Sequence, residues 1–197
     1  IFVSRKTEVQ LAGLEQFDIR FVHLKPGQYR YQFDITDTFF QAFDYSLIEQ
    51  ASLQVNTRMI KENESLLHFT FFIEGSLNLG CDRCLDAFDM PVHLEEQLIV
   101  KVTEDDSSGS EGEDEDGNLI YIPPEDIAFN VAKPIFDFIN LAKPMKPTCS
   151  DVNKDCNPEM MNILSSMQKG PKSQDNEADI DPRWEALKQF KNQQNNN

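Results

Sequence analysis

The sequence predicts one α+β domain: a mostly antiparallel sheet, open or curled toward a barrel, with one main helix packed against it. Three observations carry this reading. Tyr29, Tyr31, Phe33 and Ile35 alternate with Gln28, Arg30, Gln32 and Asp34, the period of two that sets one strand face on a core. Leu53, Val55, Thr57 and Met59 share one face, and Leu67, Phe69, Phe71 and Ile73 share another after Lys61-Glu62-Asn63-Glu64, so a long hairpin is expected with its turn at 61–64. Such runs outnumber the helical stripes, and hairpin-length connections favour antiparallel pairing.

Composition sets the outer bounds. The chain has 197 residues, 40% of them hydrophobic and 15 of them Phe, enough for one good core with tails to spare. Its 34 acidic and 18 basic residues leave a net charge of −16, a poor match for non-specific adhesion to nucleic acid or anionic lipid. That balance suits a basic protein partner, or simple solubility. No run approaches the roughly eighteen apolar residues of a membrane span, and the start has no signal-peptide pattern. A cytoplasmic protein without a membrane partner is expected. Its cysteines are then reduced thiols or metal ligands, not disulfides.

Taken in order, residues Phe17 to Val22 alternate weakly and end at the turn signal Lys25-Pro26-Gly27. After the Tyr29–Ile35 strand, Thr36 or Asp37 can cap a short helix whose Phe39, Phe40 and Phe43 belong in a core. Phe72 and Leu66 add apolar groups to the second face of the returning hairpin strand, where His68 reads as an ordinary sheet histidine. That strand continues past Gly75 into Gly80-Cys81-Asp82-Arg83-Cys84, with Gly80 read as the residue that permits the turn. Another strand leaves over Val92 to Val102. The Cys-x-x-Cys therefore falls at the tip or corner of a hairpin, which suits a zinc knuckle better than a thioredoxin-type motif opening a helix.

Residues 104–116 hold eight acids and no apolar side chain, so a disordered acidic loop is expected there. Leu119 to Ile122 reads as a short strand closed by Pro123-Pro124. A helix starting between Asn130 and Pro134 buries Ile135, Phe138, Ile139 and Ala142 and stops at Pro144. The core domain is thus set at 1–150, and 151–197 is read as a helical tail. Asn157-Pro158 opens its first helix, a flexible linker spans 169–178, and Asp181-Pro182 opens a closing helix lined by Trp184 and Leu187.

No catalytic set emerges: His23, His68 and His93 lack a serine or acid at suggestive spacing, and no Gly-rich loop follows a strand. A non-enzyme is expected. The chemistry rests on the four cysteines. Cys81, Cys84, Cys149 and Cys156 can together form a four-thiolate site for one zinc ion, although six residues separate the last two rather than the usual two to four. Alternatively, the first pair is a tight turn and the second pair is free. A redox dithiol on Cys81 and Cys84 is the other functional class, and it calls for an exposed cysteine at a helix start.

For partners, Arg183, Trp184 and Leu187 are the candidate contact residues, because they follow the linker and include the only Trp. The competing reading docks Trp184 on its own domain. Local basic clusters, Arg5, Lys6, Arg20, Lys25 and Arg30 near the start and Lys133, Lys143 and Lys146 around the main helix, offer a route to direct RNA contact.

The segment Gly-Cys-Asp-Arg-Cys-Leu-Asp-Ala-Phe at 80–88 resembles the central motif of the YceD proteins, the large ribosomal RNA subunit accumulation proteins. Leu24-Lys25-Pro26-Gly27, Leu119–Pro123, Asp137–Lys146 and Asp181–Lys188 resemble further family blocks in the same order, over about residues 17–191. The resemblance implies a bacterial cytoplasmic protein needed for accumulation of large-subunit ribosomal RNA, with no established enzymatic activity. A ribosomal protein or assembly factor is then the expected partner. One departure bears on the metal: many members carry a second Cys-x-x-Cys, whereas this chain has only Cys149 and Cys156.

Overall fold

The computed structural model describes residues 13–43, 45–46, 48–104 and 118–168. The chain divides into two compact units, Ile1–Cys156 and Asn157–Asn197. In the first unit the elements run β1 (Asp18–Arg20), β2 (Gly27–Thr36), α1 (Asp37–Gln41), β3 (Gln50–Asn63), β4 (Leu66–Gly80), β5 (Ala87–Val102), β6 (Leu119–Ile122), β7 (Ala128–Asn130) and α2 (Ala132–Ala142). The acidic run at 104–116 lies outside the described residues except for Glu104.

Strands β2 to β6 form one sheet in the order β2-β3-β4-β5-β6, antiparallel up to β5 and parallel between β5 and β6. A second, two-stranded ladder pairs β1 with β7 antiparallel. The α+β, mostly antiparallel reading holds. The sheet stays open, however, with β2 and β6 as its edges, and does not close into a barrel.

The inward face is the alternating one. Leu53, Val55 and Met59 of β3, Phe69, Phe71 and Ile73 of β4, and Leu98 and Val100 of β5 are all buried. Helix α2 contributes buried Ile135, Phe136 and Ile139, and Phe138 sets its ring 5.5 Å from that of Phe71. Each such side chain is worth roughly 1.5–3 kcal/mol of burial, so this apolar layer holds the sheet to the helix. Phe136 had no place in the expected stripe, yet it stacks on Phe43 at 4.0 Å because α1 and its sequel cover that side of the helix. Ala142, expected in the stripe, is exposed at the helix end.

Three local expectations are corrected. The hairpin turn sits at Glu64–Ser65, and Lys61 is an interior strand residue only 1% exposed. Its ammonium is tolerated there because it donates to the carbonyls of Phe21 (3.2 Å) and Leu24 (3.0 Å) and to Glu64 Oε2 (2.8 Å). Thr36 occupies the cap position of α1 without a side-chain capping bond, its hydroxyl meeting that of Thr38 at 3.0 Å instead, while Asp37 Oδ1 accepts from the Ala51 amide at 3.0 Å and ties α1 to β3. The strand after the cysteines begins at Ala87 rather than Val92, so the β4–β5 hairpin keeps its pairing up to Gly80 and Ala87.

In the second unit, α3 spans Pro158–Gln168. Asn157 Oδ1 accepts from the amides of Glu159 (3.0 Å) and Met160 (3.5 Å), the expected cap, with Pro158 as the first helical residue. Among the described residues, no helix is long and apolar enough to cross a membrane.

Candidate metal centre

The paired strands β4 and β5 run without a break to Gly80 and Ala87, so residues 81–86 must reverse the chain in six positions. They do so as a knuckle. The Cys81 amide donates to the Asp86 carbonyl and the Leu85 amide to the Cys81 carbonyl, both at 2.9 Å. The left-handed residue is Leu85, at φ 65°, while Gly80 ends β4 outside the left-handed region. Backbone amides that the turn frees from the ladder point at sulfur, and Arg83 N–H lies 3.4 Å from Cys81 Sγ.

The second pair arrives on a separate piece of chain. Asp82 N–H donates to the Pro147 carbonyl at 2.8 Å, which clamps the approaching segment to the knuckle. Thr148 and Asp151 then exchange bonds across a capping box that opens a 3₁₀ turn over Cys149–Val152. Asn153 at φ 56° reverses the chain, and the Lys154 amide closes back on the Cys149 carbonyl at 2.9 Å. This compact reversal brings Cys156 beside Cys149 despite six intervening residues, and asparagine is a residue that accepts the left-handed region at modest cost.

All four sulfurs lie within 4.8 Å of one another. Cys84 and Cys149 are 3.6 Å apart and Cys81 and Cys156 are 3.8 Å apart, too far for disulfides. Four thiolates around a tetrahedral zinc ion, with Zn–S near 2.3 Å, sit about 3.8 Å apart, so the cluster matches the spacing of such a site. Cys81, Cys84 and Cys149 are buried and Cys156 is half-buried.

The electrostatics divide the sulfurs. Burial alone would push the Cys81 thiol up, but N–H donors from Cys84, Arg83 and Cys149 and the Cys84 side chain outweigh it and bring Cys81 down to about 6. The Cys149 amide is 3.4 Å from Cys81 Sγ. Burial, reinforced by the neighbouring sulfurs and the charge on Cys81, pushes Cys149 up to about 12. Cys156 is also raised, by burial first and then by its contacts with Cys81 and Cys84. Cys81 thus carries charge readily while Cys149 and Cys156 resist it, a mismatch that a bound cation relieves.

The two cysteine pairs foreseen from sequence are therefore brought together. The other candidate residues are not placed: Arg183, Trp184 and Leu187, the linker 169–178, and Arg5 and Lys6 lie outside the described residues. Lys133 is engaged by Asp137 at 2.6 Å, which removes its charge from the basic cluster read around the main helix.

Fold and site together define an α+β protein whose hairpin corner and a downstream 3₁₀ turn converge as a four-cysteine cluster. The family model described as Large ribosomal RNA subunit accumulation protein YceD matches residues 69–191, and the chain belongs to this YceD family. The matched span holds all four cysteines and begins within β4, well after the residue-17 start of the resemblance read from sequence. No curated protein and no solved structure matches the chain.

Proposed function

We propose that this protein is a non-catalytic ribosome-biogenesis factor that supports accumulation of large-subunit ribosomal RNA through protein or ribonucleoprotein contacts. Membership of the YceD family is the observation that carries this reading. In the same proposal Cys81, Cys84, Cys149 and Cys156 hold one structural zinc ion, favoured by four sulfurs at tetrahedral spacing. When bound, the ion cross-links the hairpin corner to the 149–156 segment, and four sulfur donors leave no open position for a substrate or water. The amides of Arg83 in the knuckle and of Cys149 in the 3₁₀ turn favour the charged form of the Cys81 sulfur.

The protein works in the cytoplasm in this reading, and its acidic balance suits a basic ribosomal protein or assembly factor. Arg183, Trp184 and Leu187 are the contact residues proposed in the tail, with a pull-down of the chain ending near residue 178 as their check. The second reading, thiol redox chemistry on Cys81 and Cys84, draws on the lowered Cys81 thiol. A sulfur only 1% exposed at a hairpin corner counts against it.

The deciding experiment is depletion in growing cells with quantitation of large-subunit against small-subunit ribosomal RNA. A fall in the ratio, restored by the full chain, is expected. An unchanged ratio overturns the proposal.

A further inference from the structure

The outer face of the sheet, turned away from α2, carries a pairing that the ladder alone disfavours. Arg30 of β2 stands directly across from Arg58 of β3. Arg58 is followed across the sheet by Thr70 and then Gln97, so no acid occupies that row. Like charges placed opposite one another destabilise a ladder. Among the described residues no carboxylate lies within ion-pair reach of either arginine. Arg58 Nε is buried and has no hydrogen-bond partner among the described residues, and the Arg58 guanidinium lies 5.6 Å from the centre of the Phe72 ring. Gln32, Asn56 and Phe72 form the next row. These five residues line an open concavity of about 480 Å³.

We infer that this concavity binds single-stranded RNA, with Arg30 and Arg58 on adjacent phosphates and a base resting against the Arg58–Phe72 pair. The inference rests on the role proposed above and gives it a direct RNA contact. Two unpaired guanidiniums call for an anion, and their planar forks match phosphate oxygens. The neighbouring amides of Gln32 and Asn56 offer both donors and acceptors, which base edges use and a string of carboxylates does not. An aromatic ring beside an arginine plane is a stacking platform tolerant of base identity. The net charge of −16 argues against bulk adhesion, so the contact is local. Asp34 and Glu74 in the row beyond bound the patch on the side toward the cysteine corner, Glu95 across from Phe72 bounds it on the β5 side, and together they keep the footprint to a few nucleotides.

The test is fluorescence anisotropy of a labelled single-stranded oligoadenylate RNA with the full chain, as purified without chelator, at several salt concentrations. Binding at physiological salt is expected, with at least about a tenfold loss in an Arg30→Gln/Arg58→Gln variant. Each phosphate contact adds about 0.7 to the salt slope for single strands, so this variant's slope should be shallower by about 1.4. Phe72→Leu should weaken binding with the slope unchanged. Thermal unfolding controls for folding, since removing an unpaired like-charge pair should not lower the midpoint. No oligonucleotide binding by the parent chain, or unchanged affinity and slope in the double arginine variant, overturns the inference. So does displacement by a mononucleotide as effective as by the oligomer, or arginine-dependent binding of polyglutamate in place of RNA. A double variant that loses RNA in vitro yet fully restores ribosomal RNA in depleted cells overturns this site and leaves the broader role standing. An unchanged ribosomal RNA ratio on depletion removes the role itself, whatever the anisotropy shows.

Discussion

The ammonium of Lys61 donates to the main-chain carbonyl of Phe21 across forty residues of chain, at 3.2 Å and with its side chain fully buried. With the bond to Leu24 at 3.0 Å, one lysine satisfies two carbonyls of the loop that precedes β2. Lys61→Ala strands the Leu24 carbonyl, leaves the Phe21 carbonyl with the Leu24 amide as its donor, and opens a void, so a loss of about 3 kcal/mol is expected in urea unfolding. Glu64, the third partner, has a side chain 79% exposed, and Glu64→Ala should cost under about 1 kcal/mol. Equal losses from the two variants would show that the ion pair, not the carbonyl clamp, is what Lys61 contributes.

Gly75 lies at φ +141° where β4 pairs with Leu53 of β3, and a Cβ there would meet the Ser52 carbonyl oxygen at 2.1 Å and Leu53 Cα at 2.8 Å. Both obstacles are backbone and cannot swing aside. Gly75→Ala should therefore destabilise the domain by about 3 kcal/mol or more, or prevent folding. A midpoint within a degree or so of the parent's would show that the two strands separate locally at little cost.

Leu85 holds the left-handed position of the knuckle with its side chain 74% exposed, so it contributes conformational cost and little packing. Leu85→Gly relieves that cost, partly offset by the greater freedom of glycine when unfolded, and should raise stability by up to about 1 kcal/mol. A clear drop in the thermal midpoint would mean that the leucine makes contacts the isolated chain does not reveal.

Protein purified without chelator should carry one zinc per chain by elemental analysis, and Cys149→Ser should lose it. Strong chelation should lower the thermal midpoint, because the ion cross-links segments separated by 65 and 75 residues. Acidification should release the metal, since protons compete for thiolates as pH falls, while raising pH should not. Metal-free fresh protein with an unchanged midpoint would leave the cysteines a thiol cluster.

Much of the sheet was legible because its signal is local. The Tyr29–Ile35 alternation and the Leu53–Met59 and Leu67–Ile73 faces each state a period of two, and the structure places them in β2, β3 and β4. What escaped is non-local. Lys61 looks like a turn residue until Phe21 and Leu24 arrive to accept its protons. Three-residue β7 has no periodicity to display, and only its pairing with β1 makes it a strand. The first cysteine pair announced itself through its spacing. The second pair was foreseen as well, but not the left-handed Asn153 that folds it back, which hydropathy does not register. Arg30 was visible as a positive charge near the start, but its relation to Arg58 exists only once the register of β2 on β3 is set.

The separation of the cysteine pairs along the chain also orders events in time. During synthesis the hairpin bearing Cys81 and Cys84 is translated before the segment bearing Cys149 and Cys156, which lie 65 and 75 residues downstream of their nearest sulfur partners. Chains grow at about 5–20 residues per second, so a nascent chain exists for several seconds with only half of the cluster made. In that interval Cys81 and Cys84 are open to oxidants and to wrongly bound soft metals. Closure of the cluster marks the moment when translation has passed Cys156. A stall or truncation between Cys84 and Cys149 leaves two bare thiols as a chemical label of an unfinished molecule.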